Sequence, residues 1–456
     1  MAPKVEGRHI VVIGAARSGA AVALLLHRKG AEVFVTDNDG IADRVKRRLA
    51  SEQIPFEENG HTERAKQGEF AVLSPGVPTR APLVQEYLNS GKKVYSEIEA
   101  ASWFNDRPVV AVTGSNGKTT VTSWLAHTWR TAQRPHVMAG NIGYPFSDKI
   151  EELEEGDAKE VILEVSSFQL DHIEAFRPRI SMILNITPDH LDRYQDSIEN
   201  YARSKFRITE NQRDDDWFIY YYDDPIIKRH VESLKKKPNA PRLLAFSYRS
   251  EVPRGAFVRD EQIILKLNTQ EEVLMSTDDV GLSGKHNLNN GLATALAARA
   301  SEIKNDVIRE SLETFEGVEH RLELVRSVDG VRYINDSKAT NINAVWYALD
   351  SYNVPVVLIL GGRDKGNDYT ELIDQIREKV HTIVAIGEAR AKIEAQLKRA
   401  VPRFETADTL PEAVRVGRKV AKRGEIVLLS PACASFDMFE NYEHRGDVFK
   451  KAVNEL

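Results

Sequence analysis

The sequence contains almost no cysteine and no long apolar segment, and both absences restrict the class of protein. Its one cysteine, Cys433, cannot form a disulfide within the chain, and no Cys/His spacing typical of a structural zinc site occurs. The residues before the first strand-like run, MAPKVEGR, contain no apolar stretch long enough for a signal peptide or a membrane span. We therefore expect a cytoplasmic protein.

The sequence also lacks an excess of basic charge. It has 62 Lys and Arg against 68 Asp and Glu, which gives a formal net charge of -6. We therefore expect neither a nucleic-acid partner nor a membrane partner, and phosphate binding must come from a local site. Hydrophobic residues make up 42% and charged residues 29%, which is typical of a soluble globular protein.

Apolar runs alternate with helical periodicity in three successive segments. A chain of 456 residues is too long for one hydrophobic core. The alternation predicts an α/β fold with three α/β domains and mainly parallel sheets, whose ligands bind in the turns after the strands. The predicted domains are a Rossmann-like N-terminal domain at 1–97, a central domain at 98–317 and a Rossmann-like C-terminal domain at 318–456.

The strongest local signal is TGSNGKTT, which lies between an apolar strand and a helix. Its glycines allow backbone N–H groups to approach phosphate oxygens, its lysine can reach the β- and γ-phosphates, and its threonines can hold Mg²⁺. Val112 stands where the pattern G-x-x-x-x-G-K-[ST] has its first glycine, so the loop is a variant. The motif predicts a P-loop ATPase-like central domain, with ATP bound by Gly114, Ser115, Asn116, Gly117, Lys118, Thr119 and Thr120.

Further motifs follow the phosphate loop in order along nearly the whole chain. They are GNIG, EVSSFQL, TPDHLDR with YARSKFRI, GKHNLNN, and EHRLE with INDSKATN. This set resembles the Mur ligase family, whose relatives include folylpolyglutamate synthases. The resemblance implies a bacterial ATP-dependent, amide-forming ligase of peptidoglycan synthesis, and thus of cell wall biogenesis, cell shape and cell division, with two Mg²⁺ ions.

The resemblance also implies a catalytic and metal-binding group formed by Lys118, Glu164, His190 and Lys205, with Thr119 or Thr120 as further Mg²⁺ ligands. Glu164 and His190 follow apolar strands, where a carboxylate or an imidazole can reach a nucleotide-bound metal. In the family the lysine that matches Lys205 is carbamylated, which requires a neutral amine in a desolvated or cation-rich setting. Taken singly, these residues would be a solvated glutamate, a structural histidine and a surface lysine.

Other matching positions surround the adenine, ribose and phosphates in the family. They are Asn287, Asn290, Arg321, Asp336 and Lys338. Without the resemblance, the two asparagines could equally be helix caps near a glycine turn.

The turn GAARSGAA can bind a diphosphate through the amides at the N-terminus of a helix. Ala16 replaces the middle glycine of G-x-G-x-x-G, which weakens an NAD or FAD interpretation. The resemblance implies instead a UDP-substrate site formed by Gly14, Ala15, Ala16, Arg17, Ser18, Asp37, Asn38, Ser74, Asn141 and His190.

The segment SPACASFDMFENYEHRGD resembles the D-glutamate-adding branch of the family, and the D-N-P-R motif expected of the diaminopimelate-adding branch does not occur. The implied reaction joins D-glutamate to UDP-N-acetylmuramoyl-L-alanine through an acyl phosphate. Lys365 follows the run VVLILGG, which suits a cation aimed at a carboxylate, although a lone loop lysine is often merely solvated. The implied D-glutamate residues are Thr340, Lys365, Ser435 and Phe436, the last replacing the leucine usual in the family.

Three alternatives remain open at this point. An NAD-dependent oxidoreductase would explain GAARSGAA but not TGSNGKTT. A non-catalytic ATP-binding descendant would be expected to lack Glu164, His190 or Lys205, and all three are present. A sister Mur ligase or folylpolyglutamate synthase-like ligase would add a different amino acid. The expected partners are UDP-N-acetylmuramoyl-L-alanine, D-glutamate and ATP, and we expect a monomer.

Overall fold

The computed structural model describes residues 3–141, 143–282 and 284–456. Its strands form three separate sheets that are mainly parallel and alternate with helices, so the predicted three-part α/β fold is confirmed. The chain forms two compact units: residues up to 280 with 289–314 carry the first two sheets, and residues 281–288 with 315–456 carry the third. The domain limits at 97/98 and 317/318 stay predictions.

The first sheet and its helices comprise β1 (His9–Ile13), α1 (Arg17–Arg28), β2 (Glu32–Thr36), α2 (Asp43–Ser51), β3 (Phe56–Glu57), β4 (Phe70–Leu73), α3 (Pro82–Asn89), β5 (Lys93–Ser96) and α4 (Glu97–Ser102). The strand order is β3-β2-β1-β4-β5, and every pairing is parallel. The chain order reverses between β1 and β4. Their carboxyl ends therefore form a switch point, where open α/β sheets bind ligands.

The second sheet comprises β6 (Val109–Thr113), β7 (His136–Gly140), β8 (Glu160–Glu164), β9 (Ile180–Ile183), β10 (Trp217–Tyr221), β11 (Arg242–Ser247), β12 (Gly255–Arg259), β13 (Gln262–Lys266) and β14 (Glu272–Ser276). Its helices are α5 (Lys118–Thr131), α6 (Ile150–Glu155), α7 (Ser167–Leu170), α8 (Ile198–Phe206), α9 (Pro225–Leu234), α10 (Lys285–Ala300) and α11 (Asn305–Thr314). The order is β14-β13-β12-β11-β10-β9-β6-β8-β7. The pairings are parallel from β7 to β12 and antiparallel from β12 to β14.

The third sheet comprises β15 (Glu323–Val328), β16 (Val331–Asn335), α12 (Ile342–Asp350), β17 (Val356–Gly361), α13 (Ile373–Lys379), β18 (Val380–Ile386), α14 (Arg390–Leu397), β19 (Arg403–Thr406), α15 (Leu410–Val420), β20 (Ile426–Leu429) and α16 (Tyr442–Asn454). The order is β15-β16-β20-β17-β18-β19, with only the β15–β16 pairing antiparallel among the described strands.

Apolar side chains pack on both faces of the sheets. Every residue of β6, β17 and β20 is buried, as expected for parallel strands covered by helices on two sides. Helix α5 buries Trp124 and Trp129 completely, which fixes the helix that follows the phosphate loop. Within the described ranges, none of the helices combines the length and the apolar character needed to cross a membrane.

Candidate active site

The phosphate loop lies between the end of β6 and the start of α5. Gly114 has φ +153° and Gly117 has φ +85°, conformations that favour glycine over other residues. A Cβ added at Gly117 would lie 2.7 Å from Oδ1 of Asn290, so the loop packs directly against this asparagine of α10. The predicted ATP residue Asn290 is therefore in contact with the loop.

Hydrogen bonds to the segment after β9 hold the loop in shape. The Ser115 hydroxyl donates to the Thr187 carbonyl at 2.8 Å, and the Asn116 amide donates to Asn185 Oδ1 at 2.9 Å. Lys118 Nζ donates to the carbonyls of Gly114 at 2.8 Å and Ser115 at 2.9 Å. The side chains of Thr119 and Thr120 are buried in the first turn of α5.

Lys205 reaches the same loop from α8. Its Nζ donates to the Gly114 carbonyl at 2.9 Å and lies 4.5 Å from the centre of the Tyr201 ring. Lys205 is 1% exposed, and this burial, followed by the charge of Lys118, lowers its pKa well below the usual value. The structure thus supplies a desolvated setting beside another cation, which favours a neutral amine.

Glu164 ends β8 beside the loop, and Asn141 orients its carboxylate. The Asn141 amide group donates to Glu164 Oε1 at 2.9 Å, and the Asn141 backbone N–H donates to the Glu164 carbonyl at 2.9 Å. In the described part of the chain, Glu164 Oε2 and Thr113 Oγ1 are buried without a hydrogen-bond partner. A buried carboxylate oxygen with open lone pairs fits a hard cation such as Mg²⁺.

His190 begins a 3-10 turn at Leu191–Tyr194 and has the left-handed φ of +52°. Its ring lies edge-on to Phe168, with 5.1 Å between centroids, and its Nε2 is 3.7 Å from Asp189 Oδ1. The charges of Asp189 and Glu164 both raise the pKa of Lys205, against the dominant effect of its burial. The structure therefore brings the Asp189–His190 turn, the end of β8 and Lys205 into one electrostatic neighbourhood.

Eight of the ten predicted UDP-substrate residues follow β1, β2 or β4 of the first sheet, whereas Asn141 and His190 follow β7 and β9 of the second. Gly14 has φ +90°, and an added Cβ would lie 2.9 Å from Cβ of the buried Ser74, after β4. The Ala15 amide, predicted to face a diphosphate, donates to Asp37 Oδ2 at 2.6 Å. Of the other first-sheet members, Ala16, Arg17 and Ser18 lie at the start of α1 and Asn38 follows β2; Ser18 is half-buried and the other three are exposed.

In the third-sheet unit, Asp336 follows β16 and is buried. It accepts hydrogen bonds from the Ser430 hydroxyl at 2.8 Å and from the Leu322 amide at 3.3 Å. Burial raises its pKa to about 7, against the opposing charge of Arg321. Lys338 Nζ lies 5.4 Å from the centre of the Tyr442 ring. Asn287 is buried in the first turn of α10.

The predicted D-glutamate residues follow three neighbouring strands, β16, β20 and β17. Thr340 is half-buried, Ser435 is buried, and Lys365 is exposed. Phe436 is 61% exposed, which leaves its ring at the surface. These positions share the carboxyl edge of one sheet, as the sequence pattern predicts.

Arg445 organises this edge and was not singled out from the sequence. It is fully buried in α16, and it donates to the Ser337 hydroxyl at 2.9 Å, the Ser337 carbonyl at 2.7 Å and the Cys433 carbonyl at 3.1 Å. Burial lowers its pKa to about 10. Arg445 thus ties the loop after β16 to the loop after β20. A lone arginine on an otherwise polar helix carries no local signal of this role.

Comparison with known proteins identifies the family. The chain matches the MurD N-terminal domain at residues 9–82, the Mur ligase middle domain at 112–298 and the Mur ligase, glutamate ligase domain at 320–433. It is 49% identical to the UDP-N-acetylmuramoylalanine--D-glutamate ligase of Salinibacter ruber, with 99% of each chain covered. It is 43% identical to the protein of the same name from Chloroherpeton thalassium, again with 99% of each covered.

Solved structures show the same fold at low sequence identity. The UDP-N-acetylmuramate-alanine ligase MurC from Thermotoga maritima aligns with a TM-score of 0.58 at 17% identity, covering 98% of this chain and 99% of that one. The MurF ligase of the same organism, in complex with ADP, aligns with a TM-score of 0.59 at 15% identity, covering 100% and 97%. The resemblance seen in the sequence motifs is confirmed, and the chain belongs to the Mur ligase family.

Proposed function

We propose that this protein is an ATP-dependent ligase that adds D-glutamate to UDP-N-acetylmuramoyl-L-alanine in the synthesis of peptidoglycan precursors. The observation that carries the proposal is the full-length match to relatives named for this activity, at 49% identity over 99% of both chains. The three clusters at strand ends support it, because each has the chemistry of one substrate: a switch point for a nucleotide-sugar diphosphate, a phosphate loop for ATP, and a cationic edge for an amino acid.

The reaction requires an activated carboxylate, because a free carboxylate has no leaving group for an amine to displace. An oxygen of the L-alanine carboxylate attacks the γ-phosphorus of ATP, ADP leaves, and an acyl phosphate forms. The amine of D-glutamate then attacks the acyl carbon, loses a proton and expels phosphate. Lys118 stabilises the charge on the transferring phosphoryl group, and the remaining catalysis consists largely of positioning.

Mg²⁺ would be held by Glu164, His190 and Lys205, with Thr119 or Thr120. When bound, it would neutralise negative charge on the ATP phosphates and on the L-alanine carboxylate. The unpartnered Oε2 of Glu164 fits this role.

We propose that Lys205 contributes as a carbamate. The ammonium first loses one proton; its neutral amine then adds to carbon dioxide, an N–C bond forms, and a second proton is released, so a cation becomes an anion able to bind Mg²⁺. The burial that lowers its pKa supports this step.

The binding assignments rest on the resemblance of the sequence motifs to the family. We propose that the UDP substrate contacts the turn at 14–18, Asp37, Asn38, Ser74, Asn141 and His190, and that Thr340, Lys365, Ser435 and Phe436 bind D-glutamate. We also propose ATP contacts for Asn287, Asn290, Arg321, Asp336 and Lys338. The monomeric state stays a prediction.

The proposed amino acid is tested by phosphate release with UDP-N-acetylmuramoyl-L-alanine, ATP and Mg²⁺. D-glutamate should give rapid release, and L-glutamate, L-lysine and meso-diaminopimelate should give little. L-glutamate carries the same charges, but with both carboxylates anchored its amine would point away from the acyl phosphate. Preference for any of the other three amino acids would assign the chain to a sister activity.

A further inference from the structure

The loop after β4 and the turn that carries His190 are joined by arginines in both directions. Arg193 donates to the Pro75 carbonyl at 3.0 Å and to the Gly76 carbonyl. In return, Arg80 donates to the Asp192 carbonyl at 3.1 Å. The first loop begins at Ser74, in the proposed UDP-substrate site, and the second belongs to the proposed Mg²⁺ site. The two sites are therefore connected through main-chain groups.

The same guanidinium also connects to the imidazole of His190 through one ring. The Arg193 guanidinium lies 4.1 Å from the centre of the Phe168 ring. That ring meets the His190 ring edge-on at 5.1 Å, with 74° between their planes. His190 has a left-handed φ, a backbone conformation that is unfavourable for residues other than glycine. Such a conformation persists only when contacts with the surrounding structure stabilise it. The contacts through Phe168 are part of those surroundings.

Only arginine suits this position. Its planar fork donates to two consecutive carbonyls while its face rests on an aromatic ring. A lysine would keep the charge but would present one ammonium, which cannot make both contacts in the same geometry.

We propose that Arg193 is a positioning residue that couples the UDP-substrate loop to His190, so that UDP-substrate binding and Mg²⁺ binding strengthen each other. This inference rests on the proposed function, in which Ser74 contacts the UDP substrate and His190 contacts the metal. A substrate that orders the loop at 74–76 fixes Arg193, and Arg193 fixes Phe168 and His190. Because coupling free energies are reciprocal, Mg²⁺ must then raise the affinity for the UDP substrate by the same factor.

Arg193→Lys tests the coupling, with Arg254→Lys as the matched control. Arg254 also rests on an aromatic ring, 5.3 Å from the centre of Trp217, and donates to the Leu267 carbonyl at 2.5 Å, but its partners begin β10 and follow β13. We expect Arg193→Lys to raise KM for UDP-N-acetylmuramoyl-L-alanine and the Mg²⁺ concentration for half-maximal activity, each about tenfold, the scale of one charge-assisted contact. KM for ATP should change less than twofold, and the control should change none of the three.

Calorimetry gives a second readout that does not depend on turnover. With a non-hydrolysable ATP analogue present, Mg²⁺ should tighten binding of UDP-N-acetylmuramoyl-L-alanine to wild type, and this effect should be lost in Arg193→Lys. Arg80→Ala, at an exposed position, should weaken the same effect by about twofold to threefold and provides a variant that keeps the core intact. In a His190→Ala background, Arg193→Lys should have no further effect on Mg²⁺ dependence.

Wild-type Mg²⁺ dependence in Arg193→Lys, or effects that add to those of His190→Ala, would overturn the inference. Failure of the proposed function has a different appearance. In that case wild type itself would not join D-glutamate to the UDP substrate. The Arg193 coupling is tested separately, by calorimetric binding of the UDP substrate with and without Mg²⁺, and this measurement does not depend on which amino acid is added.

Discussion

The phosphate loop and the candidate D-glutamate edge differ in how their charged groups meet water. Around the loop, Lys205 and Glu164 are each 1% exposed; Lys205 Nζ donates to the loop, and Glu164 Oε1 accepts from Asn141. At the third sheet, Lys365 is exposed. The buried ionic group there is Arg445, which donates hydrogen bonds to the backbone carbonyls of Ser337 and Cys433. Interactions of desolvated charges are stronger than those of hydrated ones. The comparison therefore predicts large losses at the first site and moderate ones at the second.

The largest effect should come from Lys118→Ala. Removing the cation proposed to face the γ-phosphate should lower turnover on the order of a thousandfold, which is about 4 kcal/mol. Steady-state phosphate release measures it, and Lys235→Ala, an exposed lysine paired with Glu232 on α9, is the control. Turnover within tenfold of wild type would mean that the loop does not stabilise phosphoryl transfer.

Lys205→Ala should lower turnover by on the order of a hundredfold, because a buried metal ligand is lost. Short carboxylic acids such as formate or acetate should restore part of the activity, since they can occupy the vacated space and supply an oxygen ligand. The same acids should not restore Lys118→Ala. A wild-type structure obtained in bicarbonate with an unmodified Lys205 ammonium distant from any metal would contradict the carbamate.

Lys365→Ala should show the moderate effect expected of a hydrated cation. Loss of one charge-assisted bond to a ligand carboxylate costs about 1.5–3 kcal/mol, which corresponds to a ten- to hundredfold lower kcat/KM for D-glutamate. KM for ATP should stay nearly constant. Equal weakening of ATP and D-glutamate in this variant would show that the amino-acid pocket lies elsewhere.

Arg445→Lys alters the support of the third-sheet pocket and keeps the positive charge. A single ammonium cannot replace the bonds to Ser337 and Cys433, so the unfolding free energy should fall by about 2 kcal/mol. The two loops should lose their fixed spacing, and KM for D-glutamate should rise about tenfold. An unchanged KM despite a lower melting temperature would limit Arg445 to a purely structural role.

Asp336→Asn should change how the stability of the protein depends on pH. A carboxyl whose folded pKa is raised to about 7 binds its proton more tightly in the folded state, so its contribution to stability is present at low pH and is lost as pH rises from about 4 to about 7. The amide variant should lose stability less steeply over this range. Denaturant melts at pH 5 and pH 8 measure the unfolding free energy of both proteins. If this free energy changes equally between the two pH values in wild type and variant, the carboxyl lies in a more polar environment.

The sequence predicted what is local and missed what depends on distant partners. TGSNGKTT is contiguous and lies between a strand and a helix, so its loop could be predicted from the residues alone. Arg445 could not, because its partner Ser337 is 108 residues away. The antiparallel extension β12 to β14 was likewise not predicted, since short strands without a glycine motif give weak patterns. The pairing of Asp37 with the Ala15 amide also became visible only in the structure.

In the proposed reaction, ATP activates the L-alanine carboxylate and D-glutamate captures the acyl phosphate. This reaction is tested most directly with UDP-N-acetylmuramoyl-L-alanine labelled with ¹⁸O in that carboxylate. Mass spectrometry should find one ¹⁸O in each released phosphate and the other in the new amide, with D-glutamate joined to the UDP substrate. Unlabelled phosphate accompanied by this product would contradict the acyl phosphate, and labelled phosphate without D-glutamate in the product would contradict the proposed acceptor.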